Sequence, residues 1–305
     1  MGRYITKAMA LALLGGVLVC GCGIGGGKES VVRPESTEDD IEQEFPETGE
    51  EEGAEAERLR FIDAWGEWHD MKVDPDVEKH SYDWSCLTNT EEGIFYTGDD
   101  RYDMRRGVDV SEHQGSVDWE RVKAAGYEFV ILRIGYRGYG TAGNLYVDAM
   151  FHENIAGAKA AGLDVGVYIF SQAVNEQETL EEAELVLENL KGYRLELPVV
   201  FDPERIRDDT ARTDGVPGEQ FTENTLLFCE KIKEAGYQPM VYSNLVWEAF
   251  EFDMEKLADY PIWYADYEPA PQTPYRFTFW QYSEKGQVDG IEGGVDLNVQ
   301  FCEKG

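Results

Sequence analysis

The chain has 305 residues, and 61 acidic against 27 basic side chains leave it with a formal charge of −34. So strong an acidic excess excludes a nucleic-acid binder, because phosphates demand basic patches, and no nucleic-acid partner is expected. Of five cysteines only Cys86, Cys229 and Cys302 lie beyond the first 22 residues, enough for at most one internal disulfide and not for a disulfide scaffold, and the four scattered histidines share no metal-ligand spacing with them, so neither a metal nor a cofactor is expected.

At the N-terminus Met-Gly-Arg-Tyr-Ile-Thr-Lys precedes a short apolar run from Ala8 to Val19, the basic head and hydrophobic core of an export signal, too short for a comfortable membrane span. The next residues, Val19-Cys20-Gly21-Cys22, are similar to the lipobox of bacterial lipoproteins, in which a small residue directly precedes the lipid-bearing cysteine. That resemblance implies a signal peptide over residues 1–21 and a lipid anchor at Cys22, which would hold the protein on the outer face of the cell membrane, against the wall. Between Gly23 and Arg60 stand 13 acidic and 4 basic residues with few large apolar ones. Such a stretch buries too little surface to offset its ordering entropy, so residues 22–60 read as a disordered tether. Residues 61–106 carry Trp65, Trp68, Tyr82, Trp84, Phe95 and Tyr96, too many aromatics for a free linker, and read as an extension packed on the domain that begins at Gly107.

From Gly107 short β-branched or aromatic runs alternate with amphipathic segments, the pattern of a parallel sheet covered by helices. Strands are predicted over 107–111, 129–134, 165–170, 198–201, 240–243, 262–265, 277–282 and 294–297, and helices over 118–125, 147–161, 176–190, 220–235 and 245–258. Three helices end at an Ala-Gly pair, Ala125-Gly126, Ala161-Gly162 and Ala235-Gly236, where glycine can adopt the left-handed cap. The last two connections are too short or too rich in Pro and Gly for a full helix. The expected fold is therefore α/β, a TIM-like barrel over residues 107–305 with eight strands and a reduced helical layer, roughly (β/α)5(β)3, and an open doubly wound sheet is the alternative.

In such a barrel the site lies at the C-terminal ends of the strands. The carboxylates placed there are Asp109 on the first strand, Asp202 and Glu204 at the end of the fourth, and Asp296 on the last, which closure would set beside the first. The fourth-strand run Val199-Val-Phe-Asp-Pro-Glu204 is the most telling, because alternation points Asp202 and Glu204 the same way. Crowded carboxyls cannot all ionise, so their acidities split and one can serve as an acid. An N-capping acid with a solvated neighbour is the plainer reading of the same residues.

Residues 107–119, GVDVSEHQGSVDW, resemble the opening of glycoside hydrolase family 25, a family of lysozymes. The resemblance continues in order through FVILRIGYRGYG at 129–140, LPVVFDPE at 197–204, PMVYSN at 239–244, IWYADY at 262–267, FWQYS at 279–283 and GGVDLN at 293–298. It implies an eight-stranded barrel acting on peptidoglycan glycan strands, at the β-1,4 bond between N-acetylmuramic acid and N-acetylglucosamine. It implies further that Glu204 is the general acid and Asp202 its partner, orienting the substrate acetamido group, with Asp109 and Asp296 completing the acidic set. Tyr168, Tyr242, Trp263, Trp280 and Gln281 are candidate sugar contacts, with ordinary barrel packing as the other reading of each, while Arg133 and Arg137 read as structural ion pairs and His113 as a surface histidine. A monomer is expected. Pro203 departs from the family pattern: either it marks the end of the fourth strand, or it displaces Glu204 and leaves a non-catalytic peptidoglycan-binding lipoprotein.

Overall fold

The computed structural model describes residues 57–305 except 91, 92 and 208. The expected signal peptide, Cys22 and the tether up to residue 56 lie outside the described residues. Two antiparallel hairpins come first, β1 (Arg58–Ile62) with β2 (Trp68–Lys72) and β3 (Leu87–Thr90) with β4 (Gly93–Tyr96). Described residues 57–60, three of them in β1, fall inside the segment expected as tether, so that part of the expectation is corrected.

The remaining strands are β5 (Tyr102–Val110), β6 (Phe129–Arg137), β7 (Leu145–Val147), β8 (Asp164–Ser171), β9 (Val199–Pro203), β10 (Pro239–Asn244), β11 (Ile262–Ala265), β12 (Phe279–Gly286) and β13 (Val295–Glu303). All but β7 form one ring in the order β5, β13, β12, β11, β10, β9, β8, β6, closed by the β5–β6 pairing, so the open-sheet alternative does not hold. The short β7 folds back on the end of β6. The helices are α1 (Trp119–Ala124), α2 (Phe151–Ala160), α3 (Glu176–Asn189), α4 (Gly218–Glu234), α5 (Leu245–Phe250) and α6 (Met254–Leu257). Among the described residues no helix is long and apolar enough to cross a membrane.

Local signals account for these bounds. Asp118, Asn175 and Asn244 accept backbone N–H bonds from the first turns of α1, α3 and α5. Gly126, Gly162 and Gly236 follow the ends of α1, α2 and α4 at φ of 88°, 75° and 88°, the left-handed caps that the Ala-Gly pairs predict. The segment expected as one helix over 245–258 is instead two, divided where Asp253 caps α6. Residues 147–150, expected at the start of the second helix, precede it, and Val147 ends β7.

The apolar residues fall into three layers. Alternate residues of the first four barrel strands, such as Val108, Val130, Val165 and Phe201, face the helices and meet Ile155, Val186 and Phe228. Phe129, Ile131, Val200, Met240, Trp263 and Phe279 fill the interior. Gly107 makes this possible at the foot of the barrel, opposite the first residue of β6, since a Cβ there would lie 2.2 Å from the Phe129 ring. The outer faces of the later strands, through Val241, Tyr264, Trp280 and Val299, have few helices to cover them. Phe61, Met71, Val77, Ile94 and Tyr96 of the N-terminal extension pack there instead. The hairpins thus stand where the missing helices would be.

Two strand expectations need correction. The first barrel strand begins at Tyr102, ahead of Gly107, and the last runs from Val295 to Glu303, antiparallel to both neighbours. The link between β12 and β13 explains the second, because residues 287–294 are too few for the crossover that a parallel return requires.

Candidate active site

The inward parity of Val200 carries Asp202 to the interior at the end of β9, and the same parity brings Asp109 to the barrel mouth on β5. Because β13 runs downward, its first residues lie at that mouth, and Asp296 pairs directly with Asp109. Closure alone predicts this adjacency from the sequence, although not the reversed strand that produces it.

Asp109 is held by a fixed set of donors. Gln281 Nε2 and Asn298 Nδ2 both donate to its Oδ2 at 2.8 Å. The amides cannot turn over. Tyr242 and Tyr267 hydroxyls donate to Gln281 Oε1 at 3.1 and 3.0 Å, and Trp263 Nε1, which can only donate, occupies Asn298 Oδ1 at 2.8 Å. Burial raises Asp109 to about 6, against the pull of these donors and of a hydrogen bond with Asp296. Asp296 is pushed further, to about 9, by burial and by the charge of Asp109. At neutral pH the pair therefore shares one proton, held by Asp296.

Glu204 stands just past β9. Its carbonyl accepts from Gln172 Nε2, whose Oε1 is occupied by Thr213 Oγ1. The next residue, Arg205, grips Glu251 with two bonds of 2.6 and 2.8 Å and donates to the carbonyls of Thr213 and Val216. Burial, and then the charge of Asp109, raise the Glu204 carboxyl to about 7. Burial, then Glu204 and Asp109, hold Asp202 well above the ordinary range, while Arg133 pulls the other way. Asp202 Oδ1 is buried without a hydrogen-bond partner. Pro203 is the last residue of β9, beyond the end of its pairing with β10 at Phe201, so its missing N–H breaks no bond on that side.

The other candidates divide. Tyr168, Tyr242 and Trp263 form a ladder of edge-to-face contacts across the interior, with ring centroids 5.8 and 4.9 Å apart, and Gln281 lies at its top. Trp280 does not join them. Its neighbour Gln281 faces inward, so its own ring faces outward into the layer beneath the extension, where it is fully buried and donates to the Asp266 carbonyl at 2.7 Å. Arg133 pairs with Asp148 at 2.7 Å and Glu112 at 3.3 Å, and Arg137 with Glu182 at 2.7 Å. His113 is exposed, and Cys86, Cys229 and Cys302 are unpaired. Sequence reasoning missed Asn298, Tyr267 and Gln172. Asn298 had a usable signal, since it lies two residues from Asp296 and shares its face.

A cluster of four carboxyls with divided acidities at one end of a barrel, Asp109 and Asp202 buried and Glu204 and Asp296 half-buried, can donate a proton and stabilise developing positive charge. Residues 108–291 match the model of glycosyl hydrolases family 25. The autolytic lysozyme of Clostridium acetobutylicum is 29% identical over 199 residues, 65% of this chain and 56% of that protein, so the chain spans little more than half of this relative's length. The crystal structure of a bacterial lysozyme from Streptomyces coelicolor superposes with a TM-score of 0.53 at 28% identity, covering 64% of this chain and 90% of the other. The modular autolysin LytC from Streptococcus pneumoniae shares the fold with a TM-score of 0.56 at 23% identity, over 80% of this chain and 56% of the other.

Proposed function

This chain belongs to glycosyl hydrolase family 25, and on that premise we propose that it is a peptidoglycan hydrolase, an N-acetylmuramidase cleaving the β-1,4 bond from N-acetylmuramic acid to N-acetylglucosamine. The convergence of Glu204, Asp202, Asp109 and Asp296 at one barrel mouth carries this reading. A glycosidic oxygen is a poor leaving group and needs a proton as its bond to C1 breaks. Glu204, raised to about 7, still holds one near neutrality and gives it to that oxygen.

The acetamido carbonyl oxygen of the muramic acid attacks C1 as the leaving bond breaks, and an oxazolinium-like ring forms. Asp202 accepts the acetamido N–H at its unpartnered Oδ1. In the reacting complex Asp202 has given its proton to solvent, and its carboxylate stabilises the positive charge that grows on that nitrogen. Water then attacks C1, Glu204 takes its proton, the ring reopens, and the anomeric configuration is retained. Asp109, charged and fixed by two amides, adds negative potential below the oxocarbenium-like centre. The lipobox-like sequence around Cys22 supports a lipid anchor on the outer face of the membrane, from which the enzyme would act on the cell's own wall as a monomer.

Digestion of purified peptidoglycan, followed by borohydride reduction and mass spectrometry, tests the reading. Reduced muramic acid ends should appear, and Glu204→Gln should lower their rate by about 10²–10⁴-fold. No new reducing ends from a wild-type protein that still pulls down wall material would support the non-catalytic binder instead.

A further inference from the structure

The tip of the β1–β2 hairpin lies outside the family-matched residues, yet two ties bring it to the catalytic end of the barrel. In the first, Gln272 Oε1 accepts from the Ile62 N–H at 3.0 Å while its Nε2 donates to the Ile62 carbonyl at 2.9 Å. The Gln272 N–H in turn donates to Asp266, the residue after β11, whose own N–H binds the carbonyl of Gln281. In the second, Arg207, three residues beyond Glu204, pairs with Glu67 at 2.9 Å and Asp63 at 3.6 Å. Its guanidinium lies 4.2 Å from the centroid of the Trp65 ring.

The turn itself is stiff, because Asp63 Oδ1 accepts from the N–H groups of Trp65 and Glu67 and its Oδ2 meets His69 Nε2 at 3.0 Å. Asp63, Glu67 and His69 lie close enough to hold a cation, but Arg207 already pairs with both carboxylates. What the turn displays is aromatic surface. Trp65 is 56% exposed and Trp68 60%, and the Arg60 guanidinium sits over Trp68 at 5.0 Å. An indole held in water by a rigid turn, beside an active-site loop, has the properties of a binding platform.

We propose that this hairpin tip is a sugar subsite that lengthens the glycan cleft, with Trp65 as the platform for a pyranose ring of the same strand whose scissile bond lies at Glu204. The inference rests on the hydrolase reading. From Glu204 to Arg207 the chain can span at most about 11 Å, so the platform lies within a few sugar units of the reacting bond. Arg207 covers one part of the indole and leaves the rest of its face for the apolar C–H surface of a sugar. The occupant is a linear glycan, because that is the polymer the adjacent mouth would already hold.

The test uses the full chain carrying Glu204→Gln, so that turnover is slow on the scale of the titration, and compares it with the same protein also carrying Trp65→Ala or Trp65→Tyr. Calorimetric titration with long peptide-free glycan strands and with a tetrasaccharide of the same repeat gives the ratio of the two affinities. That ratio should fall about tenfold in Trp65→Ala, the scale of one aromatic contact, and recover in Trp65→Tyr. An unchanged ratio overturns the subsite. Equal losses on both lengths, or a fall in Tm with Trp65→Ala, also overturn it, by showing that Trp65 supports the structure rather than distant sugars. Failure of the wild-type protein to cleave would sink the hydrolase reading separately, because the affinity comparison does not depend on turnover.

Discussion

Asp296 faces Asp109 across the antiparallel β5–β13 pair, and burial together with the charge of Asp109 raises the Asp296 carboxyl to about 9. The proton stays on Asp296, which leaves Asp109 as the charge that Glu204 feels.

Asp109→Asn should therefore move the pH dependence of hydrolysis. Glu204 must be protonated to act as the acid, so kcat/KM falls as pH rises through its value of about 7. Removing the Asp109 charge lowers that value, and the alkaline limb should shift to lower pH. A limb that stays in place, measured on solubilised glycan, would show that burial alone sets the acidity of Glu204.

Asp202→Asn should separate binding from turnover. The amide keeps an oxygen for the acetamido N–H but cannot become an anion as positive charge develops. We expect kcat to fall about 10²–10³-fold with KM within a few-fold of wild type. Early-time NMR of the wild-type reaction should show retained configuration, and an inverted product would exclude acetamido participation.

Glu248 gives a prediction about stability. It is buried, accepts from Thr273 Oγ1, and is raised from 4.5 to about 8 by burial and by the nearby Asp266. Between those two values the folded protein holds a proton that the unfolded chain has lost, so this group's contribution is complete below pH 4.5 and declines as pH rises to about 8. Glu248→Gln keeps an acceptor for Thr273 and cannot ionise. Relative to wild type, its Tm should gain nothing at the acid end and a few degrees above pH 8, as read by scanning calorimetry.

Gly107→Ala should cost about 1–3 kcal/mol, because the added methyl must displace the Phe129 ring at the foot of the barrel. Chemical denaturation measures the loss. Combining it with Phe129→Leu should recover part of it, and independent, additive costs would show that the two positions do not compete for the same space.

Much of this architecture was legible in the chain because it rests on local rules. Strand parity placed Asp202 toward the interior, and the Ala-Gly pairs marked three helix ends. Trp280 and Gln281 both stand among the expected sugar contacts, yet neighbours on one strand cannot both face the interior, and parity alone would have removed Trp280. The reversal of β13 was also within reach, since the short link after β12 rules out a parallel return. The donors that lock Asp109 were harder to see. Asn298, Tyr267 and Trp263 come from β13, the loop after β11 and β11, with β12 between them, and no spacing along the chain announces that Trp263 fixes the orientation of Asn298.

The downward run of β13 ties activity to integrity. Its first residues supply Asp296 and Asn298 to the mouth, while Phe301, further along, anchors against Tyr82 and Trp84 of the extension. The bond from Asn298 to Asp109 joins positions 189 residues apart, so the same strand is the seam of the barrel and part of its machinery. A nick or fraying that frees this seam opens the wall and removes the acidic pair in one event. Damage at this seam would therefore cost the closed barrel and the proposed activity together.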